Sequence, residues 1–176
     1  MIHNKAWLVA QGYSQMEGVN YYETFAPVAR IESIKILLAL ACQLKFKLYQ
    51  MDVKTAFLKG LLKKDVYVAQ PKGFIDPHFS DHVLYLKKAL YGLKQVLRAW
   101  YDRLTQYLVS HGFTRGKADQ TLFIKRENSE LIVAQVYVDD IIFGSTKDEH
   151  AHGFSKLMQA EFEMSMTGEL THFLRL

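Results

Sequence analysis

Two adjacent carboxylates, Asp139 and Asp140, sit between two apolar runs. Residues 131–138 precede them and residues 141–144 follow. Apolar runs of this length, bounded by turn chemistry, read as buried strands. Neighbouring side chains on a regular strand point to opposite faces, so the pair can address one point only if the chain turns there. The spacing therefore predicts a hairpin with the pair at its tip. Like charges this close raise one another's pKa, and a divalent cation removes the conflict. Mg²⁺ suits the task, because it takes one or two carboxylates and completes its shell with water and substrate phosphate. Asp-Asp is also ordinary turn chemistry. A third carboxylate, Asp52, ends another strand candidate at residues 46–53. Three carboxylates around two divalent ions are what nucleotidyl transfer requires. Antiparallel neighbours could bring the three together, although spacing alone leaves their convergence open.

The elements that must position these groups follow from periodicity. Residues 6–10 read as a strand, with Gly12 and Gly18 punctuating the loop behind it. Ser33 is an N-cap candidate, and Ile34, Leu37, Leu38 and Ala41 follow at helical spacing. Ile36 and Leu40 make that helix apolar on its other side too, so it should be buried all round, with Cys42 packed as a small hydrophobe. Short strands are expected at 66–68 and 83–86, joined by a loop rich in Pro and Gly that carries His78 and His82. A helix should place Trp100, Leu104, Tyr107 and Leu108 on one face and stop at Gly112. Thr146-Lys147-Asp148-Glu149 fits a capping box for a third helix bearing Phe154, Leu157, Met158 and Phe162. This order predicts an α+β fold, a mainly antiparallel sheet with helices packed on one face.

Bulk properties narrow the classes. The 176 residues suffice for one domain, or for one domain and part of a second. A net charge of +4 is a mild bias toward a polyanionic partner. Cys42 is the sole cysteine, which excludes an internal disulfide framework and fits a reducing compartment. No apolar run approaches the roughly 20 residues of a membrane helix, and the first residues are no signal peptide. The expectation is a cytoplasmic or nuclear protein, not a secreted one, with both chain ends cut rather than finished.

Six motifs resemble the reverse transcriptases of Ty1/copia-type retrotransposons. Tyr137-Val138-Asp139-Asp140 is similar to their YxDD box, and Gln50-Met51-Asp52-Val53-Lys54-Thr55-Ala56-Phe57-Leu58 to their first-aspartate motif. Leu90-Tyr91-Gly92-Leu93-Lys94-Gln95 with Arg98-Ala99-Trp100-Tyr101 resembles the second polymerase motif. Glu23-Thr24-Phe25-Ala26-Pro27-Val28, Gln70-Pro71-Lys72-Gly73-Phe74 and the tail from Glu161 through Gly168-Glu169-Leu170 match as well.

The resemblance implies the fingers and palm of a right-hand polymerase, one reverse transcriptase fragment over residues 1–176. Residues of about 1–45 and 60–90 would be fingers-like, and about 46–59 and 91–176 palm-like. The thumb, RNase H and integrase would lie outside the chain. It implies that Asp52, Asp139 and Asp140 are catalytic and ligate two Mg²⁺ ions (or Mn²⁺), with help from the Val53 carbonyl. Phe57 would exclude a ribose 2′-OH, Tyr91 and Gly92 would floor the nucleotide pocket, and Lys5 would meet the triphosphate. Lys94 and Arg98 would contact phosphate. The implied partners are an RNA template, a DNA primer, dNTPs and the remainder of a Pol polyprotein, in the cytoplasm inside a virus-like particle or in the nucleus, without a membrane.

Four positions depart from the family pattern. Trp7 stands in place of an arginine, Val96 and Leu97 in place of Ala-Pro, and Arg175 in place of glycine. Each change is reachable by one C-to-T or G-to-A transition. They leave open an alternative: a degenerate, catalytically inactive retroelement fragment with residual nucleic-acid binding.

Overall fold

The computed structural model describes residues 8–171. They form three α-helices, α1 (Ile31–Leu44), α2 (Val96–Ser110) and α3 (Asp148–Glu161), and eight strands. The strands are β1 (Leu48–Val53), β2 (Tyr67–Ala69), β3 (Val83–Tyr85), β4 (Thr114–Arg115), β5 (Leu122–Glu127), β6 (Glu130–Tyr137), β7 (Asp140–Ser145) and β8 (Met164–Glu169). The chain divides into two compact units, one built from residues 8–26 and 57–103, the other from 27–56 and 104–171. Among the described residues no helix is long and apolar enough to cross a membrane.

The second unit holds a six-stranded sheet in the order β4-β5-β6-β7-β1-β8, antiparallel throughout. The expected mix of helix and antiparallel sheet is therefore present. The expectation of helices on a single face is not met within this unit. Ile34, Leu37 and Ala41 of α1 pack on Leu48, Val133 and Ile142. Phe154 of α3 meets Phe143, the next residue along β7, with ring centroids 4.9 Å apart. Adjacent strand residues face opposite ways, so α1 and α3 cover opposite faces. The reason lies in the central strands: β6 and β7 are buried along most of their length on both sides, and both sides need an apolar cover.

Several local expectations change. Helix α1 starts at Ile31, with Arg30 and not Ser33 at its N-cap and no side-chain cap of its own. One face of α1 is buried; Ile36 is 67% exposed, and Cys42 is exposed instead of packed. The capping box also fails: Lys147 is the N-cap of α3, while the Thr146 hydroxyl donates to Glu130 and accepts from the Leu131 N–H. Thr146 thus ties together the ends of β6 and β7 and has no oxygen to spare for the helix. Strand β8 was not foreseen from periodicity, because its burial alternates poorly. Of the strand expected at 6–10, residues 6 and 7 lie outside the described residues, and Val9 makes an isolated parallel bridge to Tyr91.

The first unit pairs β2 with β3 as a two-stranded ladder. Gln70 organises the loop between them: its amide donates to the carbonyls of Phe79 and His82, and its oxygen accepts from the Asp76 N–H. His78 and His82 lie in this loop, where the His82 ring stacks on Phe79 at 4.9 Å. Two glycines let backbones interlock: a Cβ on Gly92 would stand 2.1 Å from the Ala10 carbonyl oxygen, and one on Gly12 would stand 1.9 Å from the Gly92 carbonyl oxygen. Gly92 also has φ +89, which other residues rarely adopt.

Candidate active site

The sheet brings Asp52 beside Asp140 and sets Asp139 in the adjoining turn. Strand β1 lies between β7 and β8, and Asp52 stands directly opposite Asp140 across the β1–β7 pair. Their Cα atoms share a cross-strand position, the closest relation two strands offer. Asp139 occupies the two-residue turn with Val138 that links β6 to β7, after the last pair, Tyr137 with Asp140. The Val53 N–H donates to the Asp139 carbonyl at 3.0 Å, which ties the end of β1 to that turn. One sheet row therefore runs Tyr137, Asp140, Asp52 and, on β8, Ser165.

The tip of the hairpin carries backbone strain. Val138 has φ +58. Two-residue hairpin turns use positive φ at their first position and favour Gly there, whereas a β-branched residue crowds its own backbone. Val138→Gly is expected to raise stability by about 1 kcal/mol, relief of strain exceeding the added chain entropy; urea unfolding would measure it, and a loss of stability would contradict it.

Asp140 is half-buried and its electrostatics are distinctive. Burial pushes its carboxyl above the ordinary aspartate range; a hydrogen bond from Gln50 pulls it down, and the charges of Asp139 and Asp52 push it up again. The Gln50 Nε2 donates to Asp140 Oδ1 at 2.9 Å. The half-buried Asp140 carboxyl thus senses the charges of Asp139 and Asp52. Among the described residues, however, no group of three or more His, Cys, Asp or Glu side chains is gathered tightly enough to hold a metal ion as it stands. The donor chemistry fits a hard divalent cation, since the set is all oxygen and all anionic. Asp52, Asp139 and Asp140, with the Val53 carbonyl nearby in sequence, are the groups that would hold it.

The remaining site candidates lie in the other unit. Phe57 falls in a 3-10 turn, Ala56–Lys59, and its ring meets the Tyr91 ring edge-on at 5.2 Å. The Tyr91 carbonyl accepts from the Ala10 N–H at 2.7 Å. The close approach that Gly92 permits is to the chain's own residues 9–10. Lys94 donates through Nζ to the Gln15 carbonyl and lies 5.3 Å from the Tyr21 ring centre. Arg98 bonds Asp102, Glu23 and the Phe25 carbonyl. That cluster explains in one stroke why Glu23-Thr24-Phe25 and Arg98 belong to the same set of motifs: the guanidinium staples one to the other. Lys5, Trp7 and Arg175 lie outside the described residues. Gln50 is a contact that sequence reasoning passed over, although it stood inside a quoted motif. The signal was available: it precedes Asp52 by two residues on a strand, hence shares its face.

The family described as reverse transcriptase (RNA-dependent DNA polymerase) matches residues 1–176. The chain is similar to the retrovirus-related Pol polyprotein from transposon RE1 of Arabidopsis thaliana, 42% identical over 170 residues that make up 97% of this chain and 12% of that protein. It is 37% identical over 143 residues to the corresponding Pol polyprotein from transposon TNT 1-94 of Nicotiana tabacum, covering 81% of this chain and 11% of that one. It is 30% identical over 137 residues to the transposon Ty1-MR1 Gag-Pol polyprotein of Saccharomyces cerevisiae, covering 75% of this chain and 7% of that protein. The chain therefore spans about an eighth of the length of its plant relatives. No solved structure matches it significantly.

Proposed function

The chain belongs to the reverse transcriptase (RNA-dependent DNA polymerase) family, among the Ty1/copia-type retrotransposon enzymes, and from that premise we propose that it adds deoxynucleotides to a primer paired with an RNA template. The observation that supports this most is the register of β1 on β7, with Asp52 opposite Asp140 and Asp139 in the adjoining turn. In this reading the six-stranded sheet is palm and residues of about 1–45 and 60–90 are fingers. The RNA template, the DNA primer, dNTPs and the rest of the Pol polyprotein are the partners, in a cytoplasmic virus-like particle or in the nucleus.

Each residue has a distinct task in this scheme. The three aspartates hold divalent cations, Mg²⁺ or Mn²⁺, and the Val53 carbonyl adds an oxygen. When bound, the two ions acidify the primer hydroxyl and offset the charge of the triphosphate. Asp139 and Asp140 come from one hairpin and Asp52 from its neighbour, so the sheet supplies the positioning that catalysis of in-line transfer depends on. Phe57, its ring set against Tyr91, would exclude a ribose 2′-OH. Tyr91 and Gly92 would form the floor of the nucleotide pocket, and Lys5 would reach the triphosphate. Lys94 and Arg98 would contact phosphate once their present carbonyl and carboxylate partners release them, which makes them the least independent members of the set.

A specific observation keeps the inactive copy in view as a second reading. Leu97 stands 39% exposed in the first turn of α2, where the family pattern has proline. Proline is well suited to a first turn, whose N–H groups have no partner inside the helix. Primer extension on an RNA template, with this chain beside a version carrying Trp7→Arg, Val96→Ala and Leu97→Pro, separates the readings. Extension by the natural chain establishes a working polymerase; extension by the altered chain alone establishes a disabled copy. Failure of both, with the altered chain restored to a full-length relative, would sink the polymerase reading.

A further inference from the structure

We infer that Gln50 is a positioning residue for the Asp140 carboxylate, holding one oxygen so that the other is turned toward the cation site shared with Asp52. The inference rests on the reading that these aspartates bind divalent cations. Three independent features of the sheet carry it. First, Gln50 precedes Asp52 by two residues on β1, so both side chains rise from the same face, and Gln50 is the diagonal neighbour of Asp140 across the β1–β7 pair. Second, Gln50 Nε2 reaches Asp140 Oδ1 at 2.9 Å, in a half-buried setting where a charge-assisted bond is strong. Third, the regular β1–β8 ladder breaks at Gln50.

The break is a β-bulge. Met51 pairs with Met166 on β8, and a regular ladder would next set Thr167 beside Gln50. Instead the register shifts between Gln50 and Met51, and Gly168 takes the place. Gly168 has φ +112, a conformation that a residue with a side chain rarely adopts. Gln50 is thus paired on β8 with a glycine, while its amide reaches across to β7. This gives a task to the tail motif ending Gly168-Glu169-Leu170: the glycine supplies the positive φ at the register shift that ends the regular β1–β8 ladder beside Gln50. Hydrogen bonds that orient ligating carboxylates commonly change metal affinity by about 10-fold or more when removed.

The test is Mn²⁺ binding to the whole chain, followed by the electron paramagnetic resonance signal of free Mn²⁺, with thermal unfolding run in parallel. Gln50→Met removes the donor at nearly constant volume, and Gln50→Leu repeats the loss with a different shape. Both are expected to weaken Mn²⁺ binding about 10-fold while the chain still unfolds in one cooperative transition. In an Asp140→Asn background the same substitutions should change affinity less than about two-fold, because the group they act through is gone. Unchanged affinity in both variants would overturn the role of Gln50, as would an equal loss in the Asp140→Asn background. Absence of Mn²⁺ binding by the natural chain is a separate result: it removes the cation site itself, and this inference with it.

Discussion

Primer extension by the Asp139→Asn variant is expected to fall by at least about 10³-fold, equivalent to roughly 4 kcal/mol of lost transition-state stabilisation. The substitution changes one oxygen to an amide and keeps the shape of the turn, whose link to β1 is made by the Asp139 backbone carbonyl and survives. The loss should therefore appear in rate, with the fold intact by circular dichroism. Asp140→Asn should be equally inactive and have a further consequence. Burial, Asp139 and Asp52 hold the Asp140 carboxyl above the ordinary range despite the Gln50 bond. A raised pKa in the fold means that stability is present at low pH and is lost as pH rises through the folded value. Asp140→Asn removes that loss, so its Tm at neutral pH should exceed that of the natural chain. Activity gone and stability gained is the signature of a site held together against its own repulsion. An Asp140→Asn variant that extends primers at the natural rate would remove that residue from the chemistry, and one that melts lower would contradict the electrostatic account.

Asp119→Ala is expected to cost about 4 kcal/mol of stability, read as a Tm drop of about 10 °C. Asp119 is nearly buried, and its carboxylate accepts from the Thr121 N–H and hydroxyl, from the Gln135 amide, from Ser33 and, at 3.5 Å, from the Arg30 N–H. Thr121 is fully buried, so truncation strands its N–H and hydroxyl donors where water does not reach. The carboxylate also ties the N-cap residue of α1, Arg30, to a segment 89 residues away. Burial pushes this carboxyl up, but the bonds from Ser33, Thr121 and Arg30 outweigh it and hold it below the ordinary range. A depressed pKa reverses the sign found at Asp140. Stability is full above the unfolded value near pH 4 and is lost as pH falls through the folded value. Asp119→Asn should thus flatten the acid limb of a Tm-against-pH curve, and an unchanged limb would assign the acid sensitivity elsewhere.

Neither effect was equally visible in the sequence. The Asp139–Asp140 turn was legible because its signals are local: two apolar runs, two charges and a break between them. The strand ending at Asp52 was legible for the same reason, as were the apolar faces of α2 and α3. The cap of α1 was misread because Ser33 has the right chemistry three residues too late, and its hydroxyl serves Asp119 instead. Cys42 and Ile36 were expected inside because composition shows that a face is apolar without showing whether another element covers it. Gln50 stood in plain view, yet its partner is 90 residues on.

By itself, the sequence determined the family to which six spaced motifs belong, the turn that carries Asp139 and Asp140, and the apolar faces of α2 and α3. Side-chain periodicity and turn residues act over a few positions, and a linear string records them faithfully. Tertiary structure alone decided that β1 lies between β7 and β8, that Asp52 stands opposite Asp140, that Gln50 bonds the same carboxylate, and that Asp119 bonds the N-cap residue of α1. Those outcomes depend on register and burial, which are settled by packing among segments distant along the chain; a shift of one residue in any ladder would turn every side chain of that strand to the opposite face.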